Sequence, residues 1–339
     1  MKPSMSRQSF KRLVVAGALL GLIGPIGPIG VSTAQPARSV YPIRPVQIVV
    51  PNEPGGGLDL VARFLAQGLA PRLAQSVIVL NRSGASGNVG TASVARAEPD
   101  GYTLLLTGVG HLVSPLLHGQ AGYEPLKDFE PVAMVATAPN VLLVHESLDG
   151  LSLAQLLADP RSSAAGLAFA SAGYGHSSHL AAEVFMARTG ARWLHVPYRG
   201  TSPASRALLA GDVQLMFVPA GSVQPLLASG KLRALAVAHT RRLDSLPATP
   251  TLAELGIREA EFSQWYALFA PAATPAAVLK FWQDTAAAFF ASGDVPRQLQ
   301  AMGLEPATLD RVEFAVFLAA QARRLALLVK NLRVDVPAK

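Results

Sequence analysis

From Val46 onward the apolar residues follow two alternating rhythms. Short β-branched or aliphatic runs read as buried strands: "VQIVV" from Val46, "VIVL" from Val77, "TLLL" from Thr103, "LAFAS" from Leu167, "WLHV" from Trp193, "QLMF" from Gln214 and "LRALAV" from Leu232. Helical patterns lie between them; over 60–73, Val61, Phe64, Leu65 and Leu69 share one face. Strands that alternate with helices predict an α/β fold of parallel sheets joined by right-handed crossovers. The runs form two groups, one before Ala138 and one from about Asn140 to Gln264. A third piece, "WYALFAPAATPAAVLKFWQDTAAAFF", reads as a strand, a proline-containing turn and a helix, with Pro275 suited to a first helical turn. The pattern alone leaves open whether this piece forms its own small domain or returns to the first. A last helix is predicted over Val312 to Leu332, where Arg323, Arg324 and Lys330 read as a solvated face.

Composition narrows the class. With 339 residues, half of them apolar, the chain has enough for two domains with full cores. The formal charge is +7, but four of the 29 basic residues, Lys2, Arg7, Lys11 and Arg12, fall in the first 34 positions, which hold no acid. The remaining 25 face 22 acidic residues, too mild a surplus for nucleic acid, and no basic and aromatic stripe accompanies it. Those first 34 residues have a basic start, an apolar run from Leu13 to Val31 and the small residues Ser32 and Ala34, the layout of a secretory signal peptide. Gln8 after Arg7 spoils a twin-arginine signal, which favours the general secretory route, and Pro25, Pro28 and five glycines make a poor membrane anchor. The chain has no cysteine, so neither a disulfide nor thiol chemistry is available. The expectation is a soluble protein outside the cytoplasm, held together by its core.

Candidate chemistry sits in three glycine-rich turns that follow predicted strands. In the first, "PNEPGGGLD", Pro54 to Gly57 lets the backbone approach a ligand and Asp59 is placed to cap the next helix. In the second, "NRSGASGNVG", Ser86 or Asn88 is the candidate cap; the third, "ASAGYGHSSHLAAEVF", again runs from strand to glycines to hydroxyls at a helix start. Helix starts offer free N–H groups to a carboxylate or phosphate, and ligands of open α/β sheets sit beyond the carboxyl ends of strands. The dinucleotide spacing G-x-G-x-x-G and the glycine-lysine-serine/threonine phosphate loop are both missing, so no nucleotide cofactor is implied. "GHSSH" resembles a hydrolase elbow around Ser177, but His179 stands where that motif needs glycine. His176 and His179 are too few for a metal site, and Arg199 in "HVPYRG" reads as a surface arginine.

Taken in order, the segments "YPIRPVQIVVPNEPGGGLDLVAR", "VIVLNRSGASGNVGTASVARAEPDGYTLLL", "KDFEPVAMVATAPNVLLVH", "LAFASAGYGHSSHLAAEVF", "HVPYRGTSPASRALLAGDVQLMF" and "GKLRALAVAHTRRLDSLPATPTLAELG" resemble the Bug (TctC-type) extracytoplasmic solute-binding proteins of tripartite tricarboxylate transport systems. The resemblance implies a two-domain periplasmic-binding-protein, or Venus flytrap, fold, each domain a mostly parallel sheet flanked by helices. It implies a signal peptide over 1–34, a discontinuous first domain of 41–138 and 266–339, and a second domain of 139–265. Two hinge crossings are implied around Ala136 to Val141 and Ser263 to Leu268, so the C-terminal piece rejoins the first domain. It further implies a small carboxylate ligand, no catalysis, no cofactor or metal, a monomer, and delivery to membrane permease subunits; a sensor-kinase ectodomain as the docking partner is the alternative, and an exported serine hydrolase a more distant one.

Carried over position by position, the ligand-binding residues are Pro54, Gly55, Gly56 and Gly57 from the first turn, Ser86 and Gly87 from the second, Thr107 and Gly108 at a strand end, and Gly173, Tyr174, Gly175, His176 and Ser177 from the third, with Asp59 as a helix cap. Four positions depart from the family pattern. Asn52 and Glu53 stand where an aromatic and a small residue or proline are common, Val218 replaces an aspartate in the cleft, and His176 replaces a small hydroxyl residue. An acidic Glu53 at the mouth and an apolar Val218 point to a monocarboxylate or apolar acid. A His176 titrating near its ordinary pKa of ~6.5 would strengthen binding at mildly acid pH.

Overall fold

The computed structural model describes residues 41–164, 166–307 and 309–332; the expected signal peptide lies outside them. In chain order, β1 (Val46–Val50) is followed by α1 (Gly57–Leu73), β2 (Val77–Asn81), α2 (Asn88–Ala95), β3 (Thr103–Thr107), α3 (Gly110–His118) and a long β4 (Phe129–His145). Then come α4 (Leu153–Ala158), α5 (Pro160–Ser163), β5 (Ala168–Ser171), α6 (Ser177–Thr189), β6 (Leu194–Pro197), α7 (Thr201–Ala210), β7 (Leu215–Pro219), α8 (Val223–Leu227) and β8 (Leu232–Ala238). The last elements are β9 (Ser263–Pro271), α9 (Ala276–Phe290), α10 (Val295–Ala301), β10 (Glu305–Pro306) and α11 (Arg311–Leu332). Among the described residues no helix is long and apolar enough to cross a membrane.

Two sheets share β4. In the first the order is β2-β1-β3-β9-β4, with β1, β2 and β3 parallel and β9 antiparallel to both of its neighbours. In the second, the far half of β4 lies between β8 and β7, and β7, β5 and β6 continue outward as a parallel set. The exchange is sharp: β4 pairs with β9 up to Pro139 and with β7 and β8 from Asn140. The chain crosses back where Phe262 N–H donates to Ala238 and Ser263 takes up pairing with Pro139. This is the two-domain flytrap architecture, with helices over both sheets.

Every strand run named from the sequence forms a strand, but β4 escaped that reading. Its "FEPVAMVATAPNVLLVH" contains Pro131 and Pro139 and a string of alanines, which weaken both the period-two and β-branched signals. The structure accommodates the prolines by shifting register near Pro131 and by placing Pro139 at the exchange between sheets, where a ladder donor is dispensable. The C-terminal piece joins the first sheet: β9 inserts between β3 and β4, and Trp282 of α9 donates its Nε1 hydrogen to Tyr41 Oη at 2.8 Å and Gly101 O at 3.0 Å. Pro275 is the N-cap of α9, one residue before the first turn.

The exchange point is tied by one side chain. Asn140 is fully buried, and both its backbone N–H (3.2 Å) and its Nδ2 (2.9 Å) donate to the Phe262 carbonyl on the returning strand. Replacing Asn140 by alanine removes a buried bond between the two crossings. Asn140→Ala is expected to lower unfolding free energy by about 1–3 kcal/mol in urea titration; a change under about 0.3 kcal/mol would show that the bond contributes nothing.

Candidate functional site

Three helices begin at strand ends that face one another: α1 after β1, α6 after β5 and α7 after β6. Their N-cap residues are Gly56, His176 and Gly200, and none makes a side-chain capping bond. First-turn N–H groups have no partner inside their own helix. Here no cap supplies one, so three positive helix ends point into the same region.

That region holds three neighbouring cavities with shared lining residues. One, about 20 Å³, is walled by Asn52, Gly56, Gly57 and Leu58 from the first turn, Ala172, His176, Ser177 and Ser178 from the third, and Thr201, Pro219, Gln264 and Tyr266. A neighbouring cavity of about 210 Å³ is lined by residues 83–87, Gly173, Tyr174, Tyr198 and Arg199, again with Asn52 and His176. A third, about 10 Å³, brings in Thr107, Gly108, Gly110, His111 and Tyr123 beside Ser86, Gly87 and the same Asn52 and His176. No aspartate or glutamate lines any of the three.

The expected residues do not all serve alike. Gly56, Gly57, Ser86, Gly87, Thr107, Gly108, Gly173, Tyr174, His176 and Ser177 line these cavities. Pro54 faces an outer groove instead. Gly55 donates its N–H to Asp59 Oδ2 at 2.9 Å, so that amide is already used. Gly173 N–H likewise goes to Ser171 Oγ (3.1 Å) and Gly175 N–H to His179 Nδ1 (3.1 Å), while the Gly175 backbone sits against Val113 and Leu117. The glycines therefore shape the turns, and the free amides are those of the helix starts behind them. Val218 is wholly buried in β7 opposite Val141 and belongs to the sheet core, not to a cavity wall.

Other expectations are corrected by the same geometry. Asp59 is not the N-cap: it lies three positions past Gly56, and its buried carboxylate reaches back to Gly55 while accepting Arg63 Nε at 2.9 Å. Burial pushes its pKa up, but Arg63 and the Gly55 amide outweigh burial and hold it below the usual carboxylate range. Neither Ser86 nor Asn88 caps α2; Gly87 is the N-cap, and Ala85 and Ser86 both have positive φ in the turn before it. Glu53 accepts a hydrogen bond from Ser83 Oγ (2.5 Å) and lines the outer groove beside Arg199 and Arg206; Ser83 and Arg199 also line the cavity of about 210 Å³, so Glu53 stands at its mouth. The argument from Val218 lapses. His179 has Nδ1 on Gly175 and Nε2 3.5 Å from Glu183, so neither nitrogen serves Ser177 as a base.

His176 does line the site, but not as a switch near neutrality. Burial, and then the neighbouring His179, push its pKa down to about 4 against a weaker raising effect from a hydrogen bond to the Ser86 backbone. His111, buried against Phe269 and bonded to Pro125 O at 3.1 Å, is also pushed down to about 4, chiefly by burial. Both rings are neutral at pH 5 and above.

Sequence reasoning passed over Thr201, Gln264 and Tyr266. Gln264 accepts the Val109 N–H at 3.2 Å and fixes the third cavity's edge. Tyr266 is buried with its hydroxyl unpartnered, and burial raises its pKa, so it stays a neutral donor. An added Cβ at Gly57 would stand 2.7 Å from that hydroxyl. Only glycine fits there, a requirement that the sequence showed as a turn preference and nothing more.

The comparisons with known proteins agree with this architecture. A family model described as tripartite tricarboxylate transporter family receptor matches residues 61–334. The chain belongs to that family. BugT of Bordetella pertussis is 36% identical over 296 residues, spanning 86% of this chain and 90% of BugT. Among solved structures, R. palustris Rpa4515 with adipate superposes with a TM-score of 0.83 at 34% identity, covering 86% of this chain and 98% of that one. The periplasmic binding protein BugD gives 0.82 at 33%, covering 87% and 99%. MatC from Rhodopseudomonas palustris with bound malate gives 0.79 at 29%, covering 85% and 100%. As a member of this receptor family the chain is a solute-binding protein of tripartite transport.

Gly57→Ala should weaken ligand affinity at least tenfold by calorimetry, and adding Tyr266→Phe should recover part of the loss; no effect of the alanine would remove the close contact from the account. Affinity should be flat from pH 5 to 8. Stability should not be: each histidine binds its proton more readily unfolded (ordinary value 6.5) than folded (about 4), so unfolding free energy falls as pH drops from 6.5 toward 4. The slope is about 1.4 kcal/mol per pH unit for each. Tightening of affinity toward pH 5 would place a charged imidazole in the cavity.

Proposed function

We propose that the protein captures a small carboxylate in the cleft between its two lobes, without turnover, and presents the closed form to the membrane permease subunits of a tripartite tricarboxylate-type transporter. The observation that carries this reading is the meeting of three uncapped helix starts in cavities that no acidic side chain enters. Such an arrangement attracts an anion with groups fixed before it arrives, so binding costs little reorganisation. Neutral amides and hydroxyls also let the anion leave again. The largest of these cavities, about 210 Å³, suits a small ligand. Adipate and malate occupy relatives of the same fold, which supports the carboxylate class.

The lobes are 41–138 with 266–339, and 139–265. Closure brings the first turn against the start of α7, where Gly56 faces Thr201 and Gly200 faces Glu53. Because ligand contacts come from both lobes, the ligand favours the closed state, and the permease reads that state. Export through the N-terminal signal peptide places the protein in the periplasm.

A thermal-shift screen of the mature protein against small carboxylic acids tests the reading. Ligand that binds only the native state stabilises it by about RT ln(1 + [L]/Kd), roughly 2.7 kcal/mol at a hundredfold excess over Kd. At least one acid should raise the melting temperature by several degrees and be recovered chemically unchanged. A broad panel with no shift would contradict anion capture, and conversion of the acid would contradict the absence of turnover.

A further inference from the structure

Asn52 and His176 are brought together by the fold. They come from opposite jaws, Asn52 two residues after β1 and His176 at the start of α6, yet both line all three inner cavities. Both are buried, at 8% and 7% exposure, and both keep a side-chain atom without a protein partner: Asn52 Oδ1 and His176 Nε2. The other His176 nitrogen meets the Ser86 backbone in a hydrogen bond that favours the charged form, so it carries the proton. In the neutral ring Nε2 is then a lone-pair acceptor. Asn52 Oδ1 is an acceptor as well, its amide nitrogen lying on the Gly200 side.

Two buried acceptors are poor company for a carboxylate. The donors it needs line a cavity that Asn52 and His176 also line, at the helix starts and at the buried, unpartnered hydroxyl of Tyr266, and the Ser222 hydroxyl, likewise unpartnered, lies close to Gly57. The site thus offers donors for a carboxylate and, beside them, two acceptors. We propose that the ligand carries a hydroxyl that donates to Asn52 and His176, so that the protein selects small hydroxycarboxylic acids over their deoxy counterparts. This rests on the carboxylate-binding reading above. An ammonium would also donate, but no carboxylate lines the inner cavities to compensate its charge, and Arg199 lines the largest. Desolvating an ammonium beside neutral acceptors alone is unfavourable. A site with buried groups placed for a ligand hydroxyl discriminates strongly against the analogue that lacks it, because those groups are then left unpaired.

The test is calorimetric titration of matched sets: lactate, alanine and propionate; malate, aspartate and succinate; 3-hydroxybutyrate, 3-aminobutyrate and butyrate. In the set whose skeleton binds, the hydroxy acid should bind at least tenfold tighter than the deoxy acid. That ratio should fall toward one in Asn52→Leu and in His176→Phe, with binding of the deoxy acid in the same variant showing that the fold persists. Equal affinities in the wild type, or a ratio unchanged in both variants, would overturn the hydroxyl assignment while leaving carboxylate capture intact. Preference for the amino acid would overturn it in favour of an ammonium. Failure of every acid to bind would overturn the carboxylate reading itself.

Discussion

An N–H group at the start of a helix must find an acceptor, and at three helix starts that meet in one place this chain supplies no side chain for the purpose. Ser152 and Gln155 form a reciprocal capping box at α4 and Asp159 accepts at α5, while α2, α3, α8, α9 and α10 lack a side-chain cap as well. What sets the starts of α1, α6 and α7 apart is that they meet at one cavity. Much else in the structure serves to hold them open. Asp59 and Arg63 brace the first turn through Gly55, His179 braces the third through Gly175, and Ser171 takes up Gly173. Each brace uses an amide of the turn and leaves those of the helix start free.

The two sheets bring the starts together because β4 belongs to both. Sharing one strand and one return crossing fixes which loops confront each other across the cleft. Burial on this scale also removes charge from the site. His111 and His176 stay neutral because solvent cannot reach them, and Tyr266 keeps its proton for the same reason. The smaller cavities therefore present oriented dipoles and no charge, and Arg199 on the wall of the largest is the one cation among the lining residues.

Much of this was legible in the chain. Period-two and β-branched runs located the strands, and three glycine turns after strands located the jaws. What escaped did so for physical reasons. β4 hides behind Pro131 and Pro139, whose effect on a strand depends on where the sheet needs no donor. Tyr266 and Gln264 lie on a core strand, so their polar tips read as ordinary strand residues until the fold turns them toward the cleft. Val218 was read as ligand-selecting because one-dimensional proximity to a motif cannot tell a sheet core from a cavity wall. Asn52 and His176 stood out in the sequence as departures, but their meeting across the cleft required the fold.

The central claim is that the first-turn amides of α1, α6 and α7 close on one anion. Amide hydrogen exchange measured by mass spectrometry, with and without a saturating carboxylate ligand, tests it most directly. Slower exchange appearing together in peptides covering 55–60, 175–180 and 199–204 is the result the account predicts. Protection confined to one of these segments, or absent from all three while ligand is bound, would contradict it.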